Sequence, residues 1–75
     1  MMKSIEMIFG ENLRRARRAR GLTQRELAER LQYSEKSVSK WESGENPPRR
    51  RLLPVIAQAL NCTVAELTAE RQVSA

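Results

Sequence analysis

The stretch of sequence that decides the fold is GLTQRELAERLQYSEKSVSKWESG, residues 21–44. Thr23 followed three residues later by Glu26 has the form of a capping box, which begins a helix, and Ser34 is another residue type preferred at helix starts. Gly44 is the residue type that commonly follows the end of a helix. The stretch therefore predicts two short helices, residues 24–31 and residues 34–43, joined by a turn of three or four residues.

Two helices joined by such a short turn cross steeply, and their backbones approach where a small residue lies. Ala28 is that residue, and Val38 and Trp41 face inward, where they fix the second helix against the first and against the core. The outward face of the second helix is then free and polar. This arrangement is typical of a helix-turn-helix, in which the second helix lies in the major groove of DNA.

An apolar stripe before this pair predicts a first helix over residues 5–20. Apolar residues recur there at the spacing that places them on one side of a helix, and Gly21 follows as a terminating residue. The stripe consists of Ile5, Phe9, Leu13 and Ala16. The arginines between these positions either solvate the helix or add long-range attraction: Arg14, Arg15 and Arg18.

Two more helices are predicted after a loop at residues 45–51. One spans residues 52–60, because Pro54 is tolerated in a first turn and Asn61 suits the C-cap. The other begins at Thr63, whose box partner is the glutamate three residues on. Five short helices with brief connections predict an all-α, compact five-helix bundle.

Length and composition limit the possible functions. The chain has 75 residues, which predicts one domain over residues 1–75, with its core at about residues 5–70 and a frayed end at residues 71–75. Histidine and aspartate are absent, which removes the commonest general base and metal ligand, so we expect no enzyme, metal or cofactor. The single cysteine, Cys62, excludes an internal disulfide, suits a reducing cytoplasm and is expected to be a small buried residue. No apolar run is long enough to span a membrane.

Positive charge is concentrated in the middle of the chain. The net charge is +5, but residues 14–51 hold 12 Lys or Arg and 5 Glu, which is a local net charge of +7. A basic central region indicates a polyanionic partner such as nucleic acid. An ordinary solvated surface is the alternative explanation.

The residues quoted above resemble the Cro/phage-repressor (XRE-like) helix-turn-helix family of bacterial and phage regulators. Residues 21–31 and 34–44 carry the resemblance, the segment LPVIAQAL at residues 53–60 extends it, and it covers about residues 7–68. It implies a five-helix fold, double-stranded DNA binding, usually as a dimer on a pseudo-palindrome, and no catalysis. The family usually has glycine where Gln32 stands. A left-handed backbone there costs a non-glycine residue about 1 kcal/mol, so we expect either that strain or a different turn.

The exposed face of the helix at residues 34–43 carries the predicted base-reading residues, Glu35, Lys36, Ser39 and Lys40. Lysine donates hydrogen bonds to guanine, and glutamate accepts one from cytosine. The alternatives are a solvated face or sequence-independent phosphate contacts for the two lysines. For Glu35, the alternative is an ion pair with one of those lysines.

Helix starts and the basic loop supply the residues predicted to contact phosphate. Gln24 begins a helix whose N–H groups point outward, and the resemblance implies that it contacts phosphate and braces the base-reading residues. Because the loop is about one residue longer than in close family members, which of Arg49, Arg50 and Arg51 touches DNA is left open. The full set is Gln24, Arg25, Ser34, Ser37, Asn46, Arg50 and Arg51.

The resemblance also implies an ion pair between Arg17 of the first helix and Glu42 near the end of the third, which would fix the orientation of the third helix. Removal of one partner from a buried pair costs about 3 kcal/mol. We therefore assign five residues to structure: Arg17, Glu42, Ala28, Val38 and Trp41.

Three functions are consistent with the sequence. The first is a cytoplasmic transcription regulator, in the first place a repressor, which forms a weak homodimer in solution and pairs on a pseudo-palindromic site. The second is a protein-interaction module on the same fold, an antitoxin bound to a toxin or a bridging factor. The third, an RNA or single-strand binder, is disfavoured because no exposed aromatic platform is expected. The helix that contains Leu67 is the candidate dimer contact.

Overall fold

The chain folds into a bundle of short helices, in a computed structural model that describes residues 4–70. Within those residues there is no β-strand, so the predicted all-α class and the number of helices are confirmed. Residues 71–75, which were predicted to fray, lie outside the described residues. The helices are α1 (Ile5–Ala19), α2 (Gln24–Leu31), α3 (Glu35–Ser43), α4 (Leu53–Ala59) and α5 (Val64–Thr68).

Side-chain caps begin four of these helices. Thr23 and Thr63 each form a full capping box, in which the threonine hydroxyl accepts from the backbone of the glutamate three residues on and that carboxylate accepts from the threonine N–H. Ser4 and Ser34 cap α1 and α3 by accepting one backbone N–H each. The helix starts predicted from Thr23, Ser34 and Thr63 are therefore confirmed.

The core forms where the apolar sides of the helices meet. α1 packs against α3 and α5, and α2 packs against α3 and α4. Ile5, the first residue of the predicted stripe, is 77% exposed. It lies in the first turn of α1 and lines a surface groove beside Pro48 and Leu53 instead of packing under a helix. The buried apolar residues are Phe9, Leu13, Leu22, Leu27, Ala28, Leu31, Val38, Trp41, Ile56, Ala57, Leu60 and Leu67.

The chain after α3 differs from the prediction in detail. The predicted loop ends in a turn of 3-10 helix, Arg50–Leu52, so that α4 begins one residue later than expected. Leu60 rather than Asn61 is the C-cap of α4, and Asn61 follows it with a φ of 53°. This left-handed conformation is one that asparagine tolerates better than most residues.

Two side chains of the α5 region are placed differently from the prediction. Cys62 is only partly buried, because it lies at the edge of a surface cavity between α1 and α5. Leu67 is 1% exposed and is therefore part of the core. A side chain so completely covered by its own chain is not available as a dimer contact, which excludes Leu67 itself, whereas the dimer contact through the exposed residues of α5 stays a prediction.

The turn between α2 and α3 keeps the left-handed backbone in spite of its glutamine. Gln32 has φ 59° and ψ 40°, and its N–H donates to the carbonyl of Glu29 at 3.2 Å. The next N–H, that of Tyr33, donates to the carbonyl of Ala28 at 2.9 Å. The turn therefore has the left-handed geometry with the expected strain at Gln32.

The close approach of α1 and α3 depends on Gly10, which the sequence analysis did not single out. A Cβ atom at this position would lie 2.4 Å from the carbonyl oxygen of Glu42 and 2.7 Å from that of Trp41. Both atoms belong to backbone and cannot move independently of α3. Only glycine fits here without separation of the two helices.

We expect Gln32→Gly to raise the free energy of unfolding by about 0.5–1 kcal/mol, because glycine has no steric penalty at positive φ but loses more chain entropy on folding. Urea denaturation measures the change. Asn61→Gly is the matched control at the other positive-φ position and should change stability less. A free energy of unfolding that Gln32→Gly leaves unchanged or lowers would show that Gln32 is not strained.

We expect Gly10→Ala to lower the free energy of unfolding by about 1–3 kcal/mol, the usual cost of an added methyl group in a tightly packed contact. In an unobstructed helix the same change raises the free energy of unfolding by about 0.5–1 kcal/mol. The sign of the change in the free energy of unfolding therefore decides whether the close contact exists. Gly21→Asn serves as a control, since no atom lies within 4 Å of a Cβ there and asparagine tolerates its φ of 69°. A stabilised Gly10→Ala protein would contradict the close approach.

Candidate nucleic-acid interface

α3 lies on the surface of the molecule, held from beneath by two buried side chains. Val38 is 0% exposed and Trp41 is 5% exposed, so this side of the helix is fixed to the core. Of the predicted base-reading residues, Glu35, Lys36 and Ser39 are exposed, and Lys40 is partly buried. α3 thus presents a polar row on a rigid support.

The start of α3 is fixed by hydroxyl groups. The Oγ of Ser34 accepts the N–H of Ser37 at 3.1 Å and lies 3.0 Å from the Oγ of Ser37. Ser34 is exposed, whereas Ser37 is partly buried. Both hydroxyls are therefore committed to the helix cap, and each retains the capacity for a further hydrogen bond.

The predicted phosphate-contacting residues divide into two groups. Arg25, Asn46, Arg50 and Arg51 are exposed. The Nε of Arg25 lies 3.6 Å from a carboxylate oxygen of Glu29, and both side chains extend mostly into solvent. The second group consists of the residues at helix starts, Gln24, Ser34 and Ser37, whose side chains bond within the protein.

Glu42 is the centre of the hydrogen-bond network beneath α3. Its side chain is 0% exposed, and that of Arg17 is 9% exposed. Arg17 donates from Nε to Oε2 of Glu42 at 2.6 Å and from Nη2 to Oε1 at 3.0 Å. Arg17 also donates to the carbonyl of Leu22 at 2.7 Å. The amide of Gln24 donates to the same Oε1 at 3.0 Å. One carboxylate therefore connects α1, α2 and α3.

The protonation state of Glu42 is set by this network. Desolvation by burial raises its pKa, but hydrogen bonds from Arg17 and Gln24, the charge of Arg17 and a hydrogen bond from Arg14 together outweigh it and lower the pKa below the usual value. The hydrogen bond with Glu42 raises the pKa of Arg17. Both groups are charged at neutral pH, and each is the counterion of the other.

Sequence reasoning missed two contacts of α1. Arg14, expected either to solvate the helix or to add long-range attraction, has its Nε 3.3 Å from Oε1 of Glu42. Asn12 is 5% exposed, and its amide donates to the carbonyls of Leu67 at 3.0 Å and Ala69 at 2.8 Å, which attaches the end of α5 to α1. In the sequence, the only local indication that Asn12 is buried is its position next to Leu13 of the apolar stripe.

One aromatic side chain is more accessible than expected. Tyr33 is 46% exposed, and its ring centroid lies 5.2 Å from that of Trp41 with the planes tilted by 60°. It lines a surface groove of about 660 Å³ with Arg49, Arg51, Leu52 and Val55. The prediction that no aromatic is exposed is therefore wrong for Tyr33, although Phe9 and Trp41 are buried as expected.

Residues 4–70 contain neither a metal-binding cluster nor a membrane-spanning helix. No group of three or more Cys or Glu side chains lies close enough together to hold a metal ion. None of the helices has the length and apolarity that a bilayer crossing requires.

We expect Glu42→Gln to lower the free energy of unfolding by about 3 kcal/mol at neutral pH, because it leaves Arg17 buried without a counterion. Since folding lowers the pKa of Glu42, its stabilisation is present above the pKa of the unfolded carboxyl, about 4.3, and is lost as the pH falls through the folded value. The difference between wild type and variant should therefore shrink in acid, as measured by urea denaturation across pH.

Glu29→Gln is the control for this experiment, because it removes the same charge from an exposed pair. It should leave stability within about 0.5 kcal/mol of wild type. A Glu42→Gln protein as stable as the Glu29→Gln protein would contradict the structural role of the buried pair.

Comparison with known sequences identifies relatives over most of the chain. A family profile described as a helix-turn-helix domain matches residues 8–69. The HTH-type transcriptional activator BcrR of Enterococcus faecalis is 41% identical over 61 residues, which are 81% of this chain and 30% of BcrR. The HTH-type transcriptional regulator DicA of Escherichia coli is 36% identical over 62 residues, which are 83% of this chain and 46% of DicA. The chain thus spans less than half of either relative.

The fold is also similar to that of a solved regulator. The clp gene regulator ClgR from Corynebacterium glutamicum is 31% identical, with a TM-score of 0.86 over 93% of this chain and 90% of that chain. The matched region contains α2 and α3 with their caps, the buried pair beneath them and the five-helix arrangement. By sequence and by fold, this chain belongs to the Cro/phage-repressor (XRE-like) helix-turn-helix family.

Proposed function

We propose that the chain is a sequence-specific regulator of transcription that binds double-stranded DNA with α3 in the major groove. The observation that carries the proposal is that buried side chains fix α3 to the core while its other side stays exposed. Its polar row of Glu35, Lys36 and Ser39 is exposed over buried Val38 and Trp41. A helix presented in this way fits the width of the major groove.

In this proposal α3 supplies the sequence discrimination. Lys36 and Lys40 donate hydrogen bonds to guanine O6 or N7, Glu35 accepts from the N4 amino group of cytosine, and the hydroxyl of Ser39 bonds to either kind of group. The partial burial of Lys40 supports its role, since a packed stem leaves fewer positions for the ammonium group.

The surrounding residues supply the phosphate contacts that set the register of α3. Arg50 and Arg51 lie in the exposed turn before α4, and Arg25 and Asn46 are exposed on either side of α3. Gln24 offers a helix-start N–H, and Ser34 and Ser37 offer hydroxyl groups, to the DNA backbone. The side chain of Gln24 donates a hydrogen bond to Glu42, which supports its role in bracing the base-reading residues. In this proposal its backbone N–H is the group that donates to phosphate.

We further propose that two copies bind a pseudo-palindromic site in the cytoplasm and repress transcription. Half-sites about one helical turn apart match two α3 helices related by twofold symmetry. A domain bound to a promoter blocks polymerase by occupying its site. Few large apolar side chains are exposed within residues 4–70, which supports weak pairing in solution and stronger pairing on DNA.

We expect Lys36→Ala and Lys40→Ala to reduce discrimination between the preferred site and a scrambled duplex, by about 1–3 kcal/mol for each lost base contact. Arg50→Ala should weaken binding to both duplexes alike and reduce the salt dependence. The site is first obtained by selection from random duplexes, and fluorescence anisotropy then gives the dissociation constants.

Arg15→Ala is the matched control, because Arg15 bonds to Asn12 and lies on the α5 side of α1. It removes one positive charge and should leave discrimination unchanged. Unchanged discrimination in both lysine variants would show that other residues read the bases. A selection that enriches no duplex would contradict the proposed function itself.

A further inference from the structure

We propose that Arg14 is an additional phosphate-contacting residue, positioned by Glu42 next to the start of α2. The inference rests on the proposed DNA-binding function and extends it to a residue that the sequence analysis left as a solvating charge or a source of long-range attraction. Three observations support it: the charge balance around Glu42, the exposure of Arg14, and the Glu42 oxygen that Arg14 and Gln24 both contact.

Among the charged side chains that contact Glu42, Arg14 is in surplus. Arg17 alone neutralises Glu42 and makes two hydrogen bonds to it, at 2.6 Å and 3.0 Å. Arg14 adds a second guanidinium to the same carboxylate through one longer contact of 3.3 Å. The three charged side chains together therefore carry a net positive charge beneath the surface that α2 and α3 share.

The accessibility of Arg14 differs from that of Arg17. The side chain of Arg14 is 46% exposed, compared with 9% for Arg17. The contact to Glu42 uses its Nε–H, one of five N–H donors of a guanidinium group. Arg14 is therefore oriented by the protein and also accessible to an external anion.

The position of Arg14 brings it to the proposed path of the DNA backbone. Its Nε and the amide of Gln24 contact the same oxygen, Oε1 of Glu42, at 3.3 Å and 3.0 Å. Gln24 is the first residue of α2 and a proposed phosphate contact. A backbone that reaches Gln24 therefore passes next to the guanidinium of Arg14.

Arg14 can exchange its contact with Glu42 for a contact with a phosphate oxygen without disrupting the rest of the hydrogen-bond network. Glu42 keeps both hydrogen bonds from Arg17 and the one from Gln24 when Arg14 turns outward. A guanidinium group matches two phosphate oxygens in a fork that an ammonium group lacks. Arg14 would thus act as an outer clamp on the strand beside α2, with no part in base reading.

The test measures how the dissociation constant depends on KCl concentration for a duplex of random sequence. Loss of one phosphate contact should reduce the slope of log affinity against log salt by about 0.9. We expect this reduction in Arg14→Gln, recovery of most of the slope in Arg14→Lys, and no change in the control Arg15→Ala. Discrimination between the preferred and scrambled duplexes should remain at the wild-type level in all three proteins.

Thermal unfolding of the same proteins separates contact from stability. A purely structural role predicts lower stability for Arg14→Gln with an unchanged salt slope, and this result would overturn the inference while Arg50→Ala still reduced the slope. If wild type itself does not bind duplex DNA, the proposed function and the inference both fail.

Discussion

The orientation of α3 depends on one buried carboxylate. Glu42 lies on α3, receives both hydrogen bonds of a guanidinium fork from α1 and receives an amide hydrogen bond from α2. Any rotation of α3 that breaks this set leaves a charge buried without a counterion, which is far more costly than the loss of an exposed pair. Hydrogen bonds to base edges weaken steeply with misalignment, so a fixed rotation of α3 is a condition for reading them.

The same residue is also constrained through its backbone. The carbonyl oxygens of Trp41 and Glu42 pack against Gly10 at distances that no side chain would allow. The carboxylate sets the rotation of α3, and this backbone contact sets its distance from α1. Because both constraints act near the end of α3, the beginning of the helix needs its own support, which the cap formed by Ser34 provides.

The parts of the fold that the sequence predicted are those determined locally. A capping box such as Thr23 with Glu26 involves residues three apart, so its signal lies within a few letters of sequence. Ile5 shows the limit of periodicity, since a stripe indicates which side of a helix is apolar but not where the covering helices end. Gly10 and Arg14 depend on contacts with residues about 30 positions away, and no local pattern contains that information. The resemblance supplied the pair of Arg17 and Glu42, and chain geometry alone did not.

The distribution of charge divides the proposed interface into two parts. α3 contains two lysines and two glutamates, so the local net charge of +7 over residues 14–51 lies entirely on the elements around it. Long-range attraction to a polyanion then comes from the arginines at residues 14–20 and from those in the turn before α4, without regard to sequence, whereas α2 has equal numbers of Arg and Glu. An electrically neutral α3 adds little to affinity for an arbitrary duplex. Its contacts therefore count mainly as differences between one base sequence and another, which is the quantity that a sequence-specific regulator needs.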